Sequence, residues 1–103
     1  MREASLEENF IQRIIKPLVR TGVYKNHREA LKGIALDYAK REGEKYKRKI
    51  KSYEKKYKMR FEEFTDCLRN KATAEDEDEW MEWEYNIVFY KKWQEIESDI
   101  RNS

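Results

Sequence analysis

Glycine, proline, cysteine and histidine are scarce in this chain of 103 residues, which contains 3 glycines, 1 proline, 1 cysteine and 1 histidine. Because a sheet protein needs glycine and proline in its many turns, their scarcity argues against a β fold and favours helices. A single cysteine excludes a disulfide within the chain and a zinc site built from several cysteines. We therefore expect a cytoplasmic protein.

Long apolar runs are also missing. No stretch approaches the roughly 20 apolar residues of a membrane span. The charged start MREASLEEN does not contain the continuous apolar segment of a signal peptide. We therefore expect no contact with a membrane. Lys and Glu are abundant whereas Gln occurs only twice, a balance typical of proteins from thermophiles.

The sequence has no combination of residues that is typical of a catalytic site. His27 is the single histidine, and no glycine-rich phosphate loop is present. Cys67 is interpreted as a small buried apolar residue rather than a nucleophile. The acidic run from Glu75 to Glu79 is interpreted as compensation of a helix dipole, since consecutive helical carboxylates point in different directions and hold a cation poorly. We predict that the protein is not an enzyme and uses no cofactor or metal.

Charge is divided between two halves of the chain. Residues 1–60 contain 18 Lys or Arg against 8 Asp or Glu, whereas residues 61–103 contain 5 against 13. The formal net charge of +2 therefore hides a strongly basic half and a strongly acidic half. A basic half favours polyanions such as nucleic acid, and an acidic half favours a basic partner.

Apolar spacings of three and four residues predict an all-α fold of about four helices. The first helix is predicted to begin at Ser5, with Glu8 completing a capping box, and to end at Gly22. Pro17 lies inside this span, so we expect a kink near Ile15 or a break in the helix.

The second helix is predicted to be unusually long. Asn26 caps its start, and a helix over residues 27–57 would extend about 46 Å, with a bend expected at Gly43. A short third helix follows over residues 61–68, and Thr73 caps the fourth. That fourth helix is apolar around more than half of its circumference, so it is either packed between neighbours or built to receive a partner.

The segment from Leu18 to Leu31 reads LVRTGVYKNHREAL. Gly22 permits a left-handed turn, Tyr24 fills the gap between two helices, and Asn26 caps the second. Over residues 9–41 this pattern resembles the helix–turn–helix core of ribbon-helix-helix proteins, especially ParD-type antitoxins. The resemblance implies an intertwined homodimer in which a strand from each chain enters the DNA major groove. Residues 1–5 are too short and too poor in β-branched residues for that strand.

The same resemblance implies which residues hold operator phosphates. Carried over by position, they are Lys25, Asn26, His27 and Arg28, at the start of the second helix. The alternative is that these residues only cap and solvate the helix. The nine basic residues from Lys45 to Arg60 add Lys45 and Arg48 as DNA-binding candidates, although this segment is equally interpretable as the solvated face of a helix whose tyrosines pack inward.

The C-terminal half carries a second resemblance. The pattern KYKMRFEEF, a short spacer, EDEDEWMEWE and a final aromatic helix resembles the C-terminal halves of small uncharacterised archaeal and cyanobacterial proteins that look like antitoxins. The resemblance implies that this half binds a basic toxin, commonly a ribonuclease. The partner-binding candidates are Trp80, Met81, Trp83, Phe89, Tyr90 and Trp93. The alternative is that most of these aromatic residues form the protein's own core.

Two parts of one compact domain are therefore expected. Residues 1–43 form a helix pair for dimerisation, and residues 44–103 form a long basic helix with an acidic aromatic segment for partner binding. The leading hypothesis is an antitoxin of a toxin–antitoxin pair that also binds operator DNA. A non-specific nucleic-acid-binding or architectural protein, or a structural helical oligomer without a ligand, are the alternatives.

Overall fold

The computed structural model describes residues 2–71 and 73–103, and it confirms an all-α fold with a long second helix. No strand is present in these residues. The four helices are α1 (Arg2–Arg20), α2 (His27–Tyr57), α3 (Phe61–Lys71) and α4 (Ala74–Arg101).

Helix α1 differs from the prediction at its start and at its proline. It begins at Arg2 rather than at Ser5, so helix takes the place where the ribbon-helix-helix pattern would have a strand. Met1 lies outside the described residues. Pro17 lies inside α1 without ending it. The predicted break does not occur because the proline ring removes a single backbone donor, while the bonds of the neighbouring turns remain.

The turn between α1 and α2 follows the local signals in the sequence. Gly22 has a φ of 83°, in the left-handed region, and its amide donates to the Val19 carbonyl oxygen at 3.1 Å. Asn26 has an extended backbone, and its Oδ1 accepts a hydrogen bond from the Glu29 amide at 2.9 Å. Both predicted roles are confirmed, because a glycine turn and a cap depend only on nearby residues.

Helices α2 and α4 pack side by side in antiparallel orientation. Tyr38 contacts Trp93 near one end of the pair, with ring centroids 5.7 Å apart. Tyr46 stacks on Phe89 near the middle, with ring centroids 5.6 Å apart. At the other end Tyr53 stacks on Trp83. The α2–α4 interface is therefore an aromatic row.

The core lies where α3 covers one end of that row. Its centre consists of Tyr53, Phe64 and Trp83, and Trp83 is fully buried. Trp80 attaches α3 to α4, because its Nε1 donates to Thr65 Oγ1 at 2.8 Å. The partly buried side chains around the core are Ile50, Tyr57, Met59, Phe61, Leu68, Trp80 and Ile87.

Cys67 is exposed, so the prediction that it is a buried apolar residue is wrong. Helix α3 has only 11 residues and is covered on the face that carries Phe64 and Leu68. Cys67 is turned about 100° from Leu68 around the helix, on the uncovered side.

The chain is more extended than the compact domain expected from the sequence. Its extents are 60 × 31 × 21 Å and its radius of gyration is 20.3 Å. A compact domain of this length would have a radius of gyration of about 13 Å. The difference arises because α2 and α4, with 31 and 28 residues, are long and nearly coextensive.

Two glycines of α2 provide a matched pair of substitutions. A Cβ at Gly33 would overlap the ring of Tyr24, whereas a Cβ at Gly43 would meet Trp93 Cβ at 3.5 Å, an ordinary contact. Alanine favours a helix interior over glycine by about 1 kcal/mol. We expect Gly43→Ala to stabilise the protein by up to about 1 kcal/mol. Gly33→Ala should destabilise it, because Tyr24 must leave its place between α1 and α2. Urea denaturation of both variants tests this, and equal stabilisation would show that Tyr24 does not occupy the gap.

Candidate functional site

Opposite charges meet along the α2–α4 pair. Lys49 Nζ lies 3.8 Å from Glu82 Oε1, and Lys56 pairs with Glu79. The hydrogen bond and charge of Glu79 raise the pKa of Lys56. These pairs lie at the rim of the interface and add little to stability, since solvent screens exposed ion pairs. They show that part of the basic half faces the acidic half within one chain.

The phosphate-binding candidates of the first turn of α2 are exposed. Lys25, Asn26, His27 and Arg28 lie together where α2 begins. His27 also lines a shallow groove with residues of α1, which the sequence reasoning did not include: Asn9, Gln12, Arg13 and Lys16. Arg13 and Lys16 add positive charge beside the helix start. Their spacing of three residues, one helical turn, was the signal that could have identified them.

Lys45 and Arg48 do not join that group. They lie about 30 Å further along α2 than the helix start, at 1.5 Å per residue. Lys45 Nζ contacts Glu42 Oε2 at 2.5 Å, and this hydrogen bond and charge raise the pKa of Lys45. Arg48 instead belongs to a row of exposed basic residues on the outer face of α2, one or two helical turns apart: Arg41, Arg48, Lys51 and Lys55.

Most of the partner-binding candidates pack inside the chain. Trp83 is fully buried and lies within 6.1 Å, by ring centroids, of Tyr53, Tyr57, Phe61 and Phe64. Trp80, Phe89, Tyr90 and Trp93 are partly buried. For Trp83 the structure therefore supports the alternative, a core residue, because its ring has no surface left for a partner. Met81 alone among the six is exposed, at 63%.

The opposite side of α4 carries an apolar stripe of which the sequence reasoning had named only Met81 as a partner-binding candidate. Met81, Tyr85, Val88 and Ile96 are all exposed large apolar residues. They fall within about 60° of Met81 around the helix, on the side turned away from Trp83. We call these four side chains the α4 stripe. The sequence of α4 does contain more apolar residues than one buried side needs. Periodicity alone does not show which side of the helix faces α2.

Helix α1 has a second uncovered apolar face. Ile15 is buried, but the residues on the neighbouring side of the helix are exposed. We call them the α1 face: Leu6, Phe10, Ile11, Ile14 and Leu18. A monomer rarely leaves such a contiguous apolar surface in water unless a partner covers it.

Tyr53 has the most perturbed ionisation among the described residues. Burial, with a hydrogen bond and the negative charge of Glu82, raises its pKa to about 12. The folded state then holds the phenol proton more tightly than the unfolded state does. Tyr53 therefore leaves stability unchanged below about pH 10 and lowers it as the pH rises from about 10 to about 12.

The difference in absorbance at 295 nm between the wild type and Tyr53→Phe reports the ionisation of the Tyr53 phenol. We expect this difference to titrate with a midpoint near pH 12. Tyr53→Phe should also lose less stability than the wild type across this range, because it has no phenol to ionise at this position. A difference titration with a midpoint at pH 10, in a chain that circular dichroism shows to be folded, would contradict the buried position of Tyr53.

Residues 2–71 and 73–103 contain no group of three or more His, Cys, Asp or Glu side chains placed to hold a metal ion. None of the helices described is both long and apolar enough to cross a bilayer. Comparisons with protein-family models, curated proteins and solved structures found no match. The candidate surfaces therefore rest on the geometry of this chain.

Proposed function

We propose that this chain is an antitoxin-like protein, non-enzymatic and cytoplasmic, that binds a basic toxin protein through its C-terminal helices. One observation carries the proposal: the aromatic side of α4 packs against the rest of the chain, with Trp83 fully buried and the other aromatic candidates partly buried, yet α4 still presents the apolar α4 stripe to solvent. Exposed apolar residues with acidic neighbours suit a basic protein partner.

The α1 face supports assembly into a homodimer. Its five large apolar side chains lie on one side of a helix of 19 residues. A second copy of the same helix would cover them in a self-complementary contact across a two-fold axis. In this arrangement the basic start of α2 stays uncovered, because His27 lies by the polar side of α1, beside Gln12 and Lys16.

The experiment that tests this function uses the reading frame adjacent to the gene. That frame is expressed alone and together with the full chain, and growth of the host is measured. We expect growth arrest by the neighbour alone and recovery with this chain. If the neighbour is harmless, or if arrest persists on co-expression, the antitoxin proposal is wrong.

Operator binding would depend on the exposed basic residues at the start of α2. We expect reversal of Lys25 and Arg28 to Glu to abolish binding of duplex DNA from the chain's own promoter, since both side chains are exposed and would contact phosphates in the proposed complex. The matched control reverses Arg48 and Lys51, two basic residues that are also exposed but lie elsewhere on α2. Anisotropy titrations compare the two double variants. Equal losses would show that only total charge matters.

A second candidate function is sequence-independent nucleic-acid binding, which the outer face of α2 favours. All four basic residues of this row are exposed: Arg41, Arg48, Lys51 and Lys55. Four phosphate contacts would give a slope of about −4 in a plot of log K against log salt concentration. Tight binding of random duplex with this slope, lost on reversal of Arg48 and Lys51, would favour this function over the first.

A further inference from the structure

We propose that the outer face of α4 binds a basic amphipathic helix of the partner protein. The inference deepens the proposed function, on which it rests, by replacing the aromatic candidates, which pack within the chain, with a different set of side chains. Between Glu77 and Asp99 the face comprises ten exposed positions that lie within about 60° of Met81 around the helix. They are Glu77, Asp78, Met81, Glu84, Tyr85, Val88, Lys92, Glu95, Ile96 and Asp99.

The apolar members of the face have the spacing of a helix-binding surface. Met81, Tyr85 and Val88 follow one another at four and three residues, and Ile96 continues the line beyond Lys92. Helices that dock through anchors at such spacings bury apolar side chains along a shared line. The face extends about 33 Å, the length of roughly 22 helical residues. One partner helix can therefore cover it.

The polar members of the face fix the sign of the partner's charge. Five of them are carboxylates and one is Lys92. The ion pairs between α2 and α4 use Glu79 and Glu82 instead, and none of the five carboxylates pairs with a basic side chain in the described part of the chain. Lys92 Nζ leans over the Phe89 ring, 4.8 Å from its centroid. A surface of this kind attracts Lys and Arg and repels Asp and Glu.

A second copy's α1 is the obvious competitor for this face, and its charge fits less well. Glu7 lies among Leu6, Phe10 and Ile11 on the apolar side of α1. Placed on the outer face of α4, Glu7 would meet carboxylates, and like charges at a contact weaken binding. In the proposed homodimer, the α1 face is already covered by the α1 face of the second copy. The charges therefore favour a separate, basic partner.

The probe for this surface is a fluorescein-labelled synthetic helix of about 20 residues. Leucines at helical spacings of three and four are flanked by lysines, and a twin peptide has glutamate in place of every lysine. Fluorescence anisotropy measures the binding of each peptide to the full chain. We expect the Leu/Lys peptide to bind and the Leu/Glu twin not to bind.

The variants Val88→Lys and Gln94→Lys form a matched pair. Each adds one positive charge to an exposed position of α4, but Gln94 is turned about 140° away from Met81. We expect Val88→Lys to weaken binding of the Leu/Lys peptide at least tenfold and Gln94→Lys to change it less than twofold. Circular dichroism checks that both variants remain folded.

Several outcomes would overturn the proposal. Equal binding of both peptides would show general apolar adhesion, and equal weakening by both variants would show a general charge effect. Unchanged binding by Val88→Lys would place the peptide elsewhere. If the molar mass of Val88→Lys is half that of the wild type, a second copy of the chain covers this face.

The growth assay separates this proposal from the proposed function. If Val88→Lys still restores growth, the proposed surface is wrong, but the antitoxin function is not contradicted. Loss of recovery in Val88→Lys, but not in Gln94→Lys, supports both. Peptide binding that behaves as expected, with a harmless neighbouring reading frame, supports the surface and contradicts the function.

Discussion

Replacement of Trp83 by alanine is expected to destabilise the fold by about 3–5 kcal/mol, the cost of removing a large aromatic side chain from a core. Trp83 is fully buried and contacts rings from α2 and α3. Because small domains are stable by only about 5–15 kcal/mol, much of this variant should be unfolded well below the melting temperature of the wild type.

Two further variants identify the cause of that loss. Trp83 Nε1 has no hydrogen-bond partner among the described residues, so Trp83→Phe keeps a ring and removes an unpaired buried donor. We expect its stability to stay within about 1 kcal/mol of the wild type. Met81→Ala, at an exposed position of the same helix, should change stability by no more than about 0.5 kcal/mol. Urea denaturation followed by circular dichroism measures all three. Equal effects of Trp83→Ala and Met81→Ala would refute the core assignment.

The second large effect concerns assembly. Ile14 is 54% exposed at the centre of the α1 face. In the proposed homodimer, Ile14→Glu would place a carboxylate from each copy in an apolar contact, where unpaired charges cost several kcal/mol. We expect dissociation constants to rise about 100-fold or more, which corresponds to about 2.8 kcal/mol. Sedimentation equilibrium should then give a single chain of 12.7 kDa instead of two.

The matched control for assembly is Gln12→Glu. Gln12 is exposed and lies on the polar side of α1, about 160° from Ile14 around the helix. The Gln12→Glu variant adds the same charge to the same helix as Ile14→Glu does, but it should leave the molar mass of the assembly unchanged. If Ile14→Glu also leaves the mass unchanged, the α1 face is not the dimer contact. Mass must be measured directly, because a chain 60 Å long elutes early from a sizing column whatever its oligomeric state.

The parts of the fold that sequence reasoning predicted are those determined by neighbouring residues. Asn26 and Thr73 each accept a hydrogen bond from an amide three residues later, and each marks the start of a helix as predicted. Gly22 adopts the left-handed turn for the same local reason. An apolar repeat that lapses only at Glu42 and Gly43 predicted a helix over residues 27–57, which is the extent of α2, although the break after Tyr57 has little signal in the sequence.

The parts that were not predicted depend on which helix covers which face. Helix α4 is apolar on several sides, and the sequence does not reveal that α2 and α3 cover the side with Trp83 and leave the side with Val88 exposed. Cys67 was misplaced for the same reason, since an 11-residue helix has one covered face. The start of α1 was misplaced because a strong capping signal at Ser5 does not prevent helix before it.

The charge division of the sequence becomes a division in space. Lys49 and Lys56 pair with carboxylates at the rim of the α2–α4 contact, whereas the row from Arg41 to Lys55 and the carboxylates around the α4 stripe point to opposite sides. Partial pairing within the chain thus leaves one basic surface and one acidic surface accessible at the same time. A partner that binds the basic surface therefore does not have to displace a partner that is bound to the acidic surface.

The antiparallel pairing of α2 with α4 also has a consequence for protein synthesis. The ribosome completes α2 before α4 exists, so Tyr38, Tyr46 and Tyr53 have no covering helix while residues 61–101 are being added. At typical elongation rates this takes about 2–8 s. A chain that stops before Trp83 never covers them, and it presents an aromatic surface that chaperones and proteases recognise. Chains that stop before Trp83 should therefore accumulate less in the cell than chains that include α4.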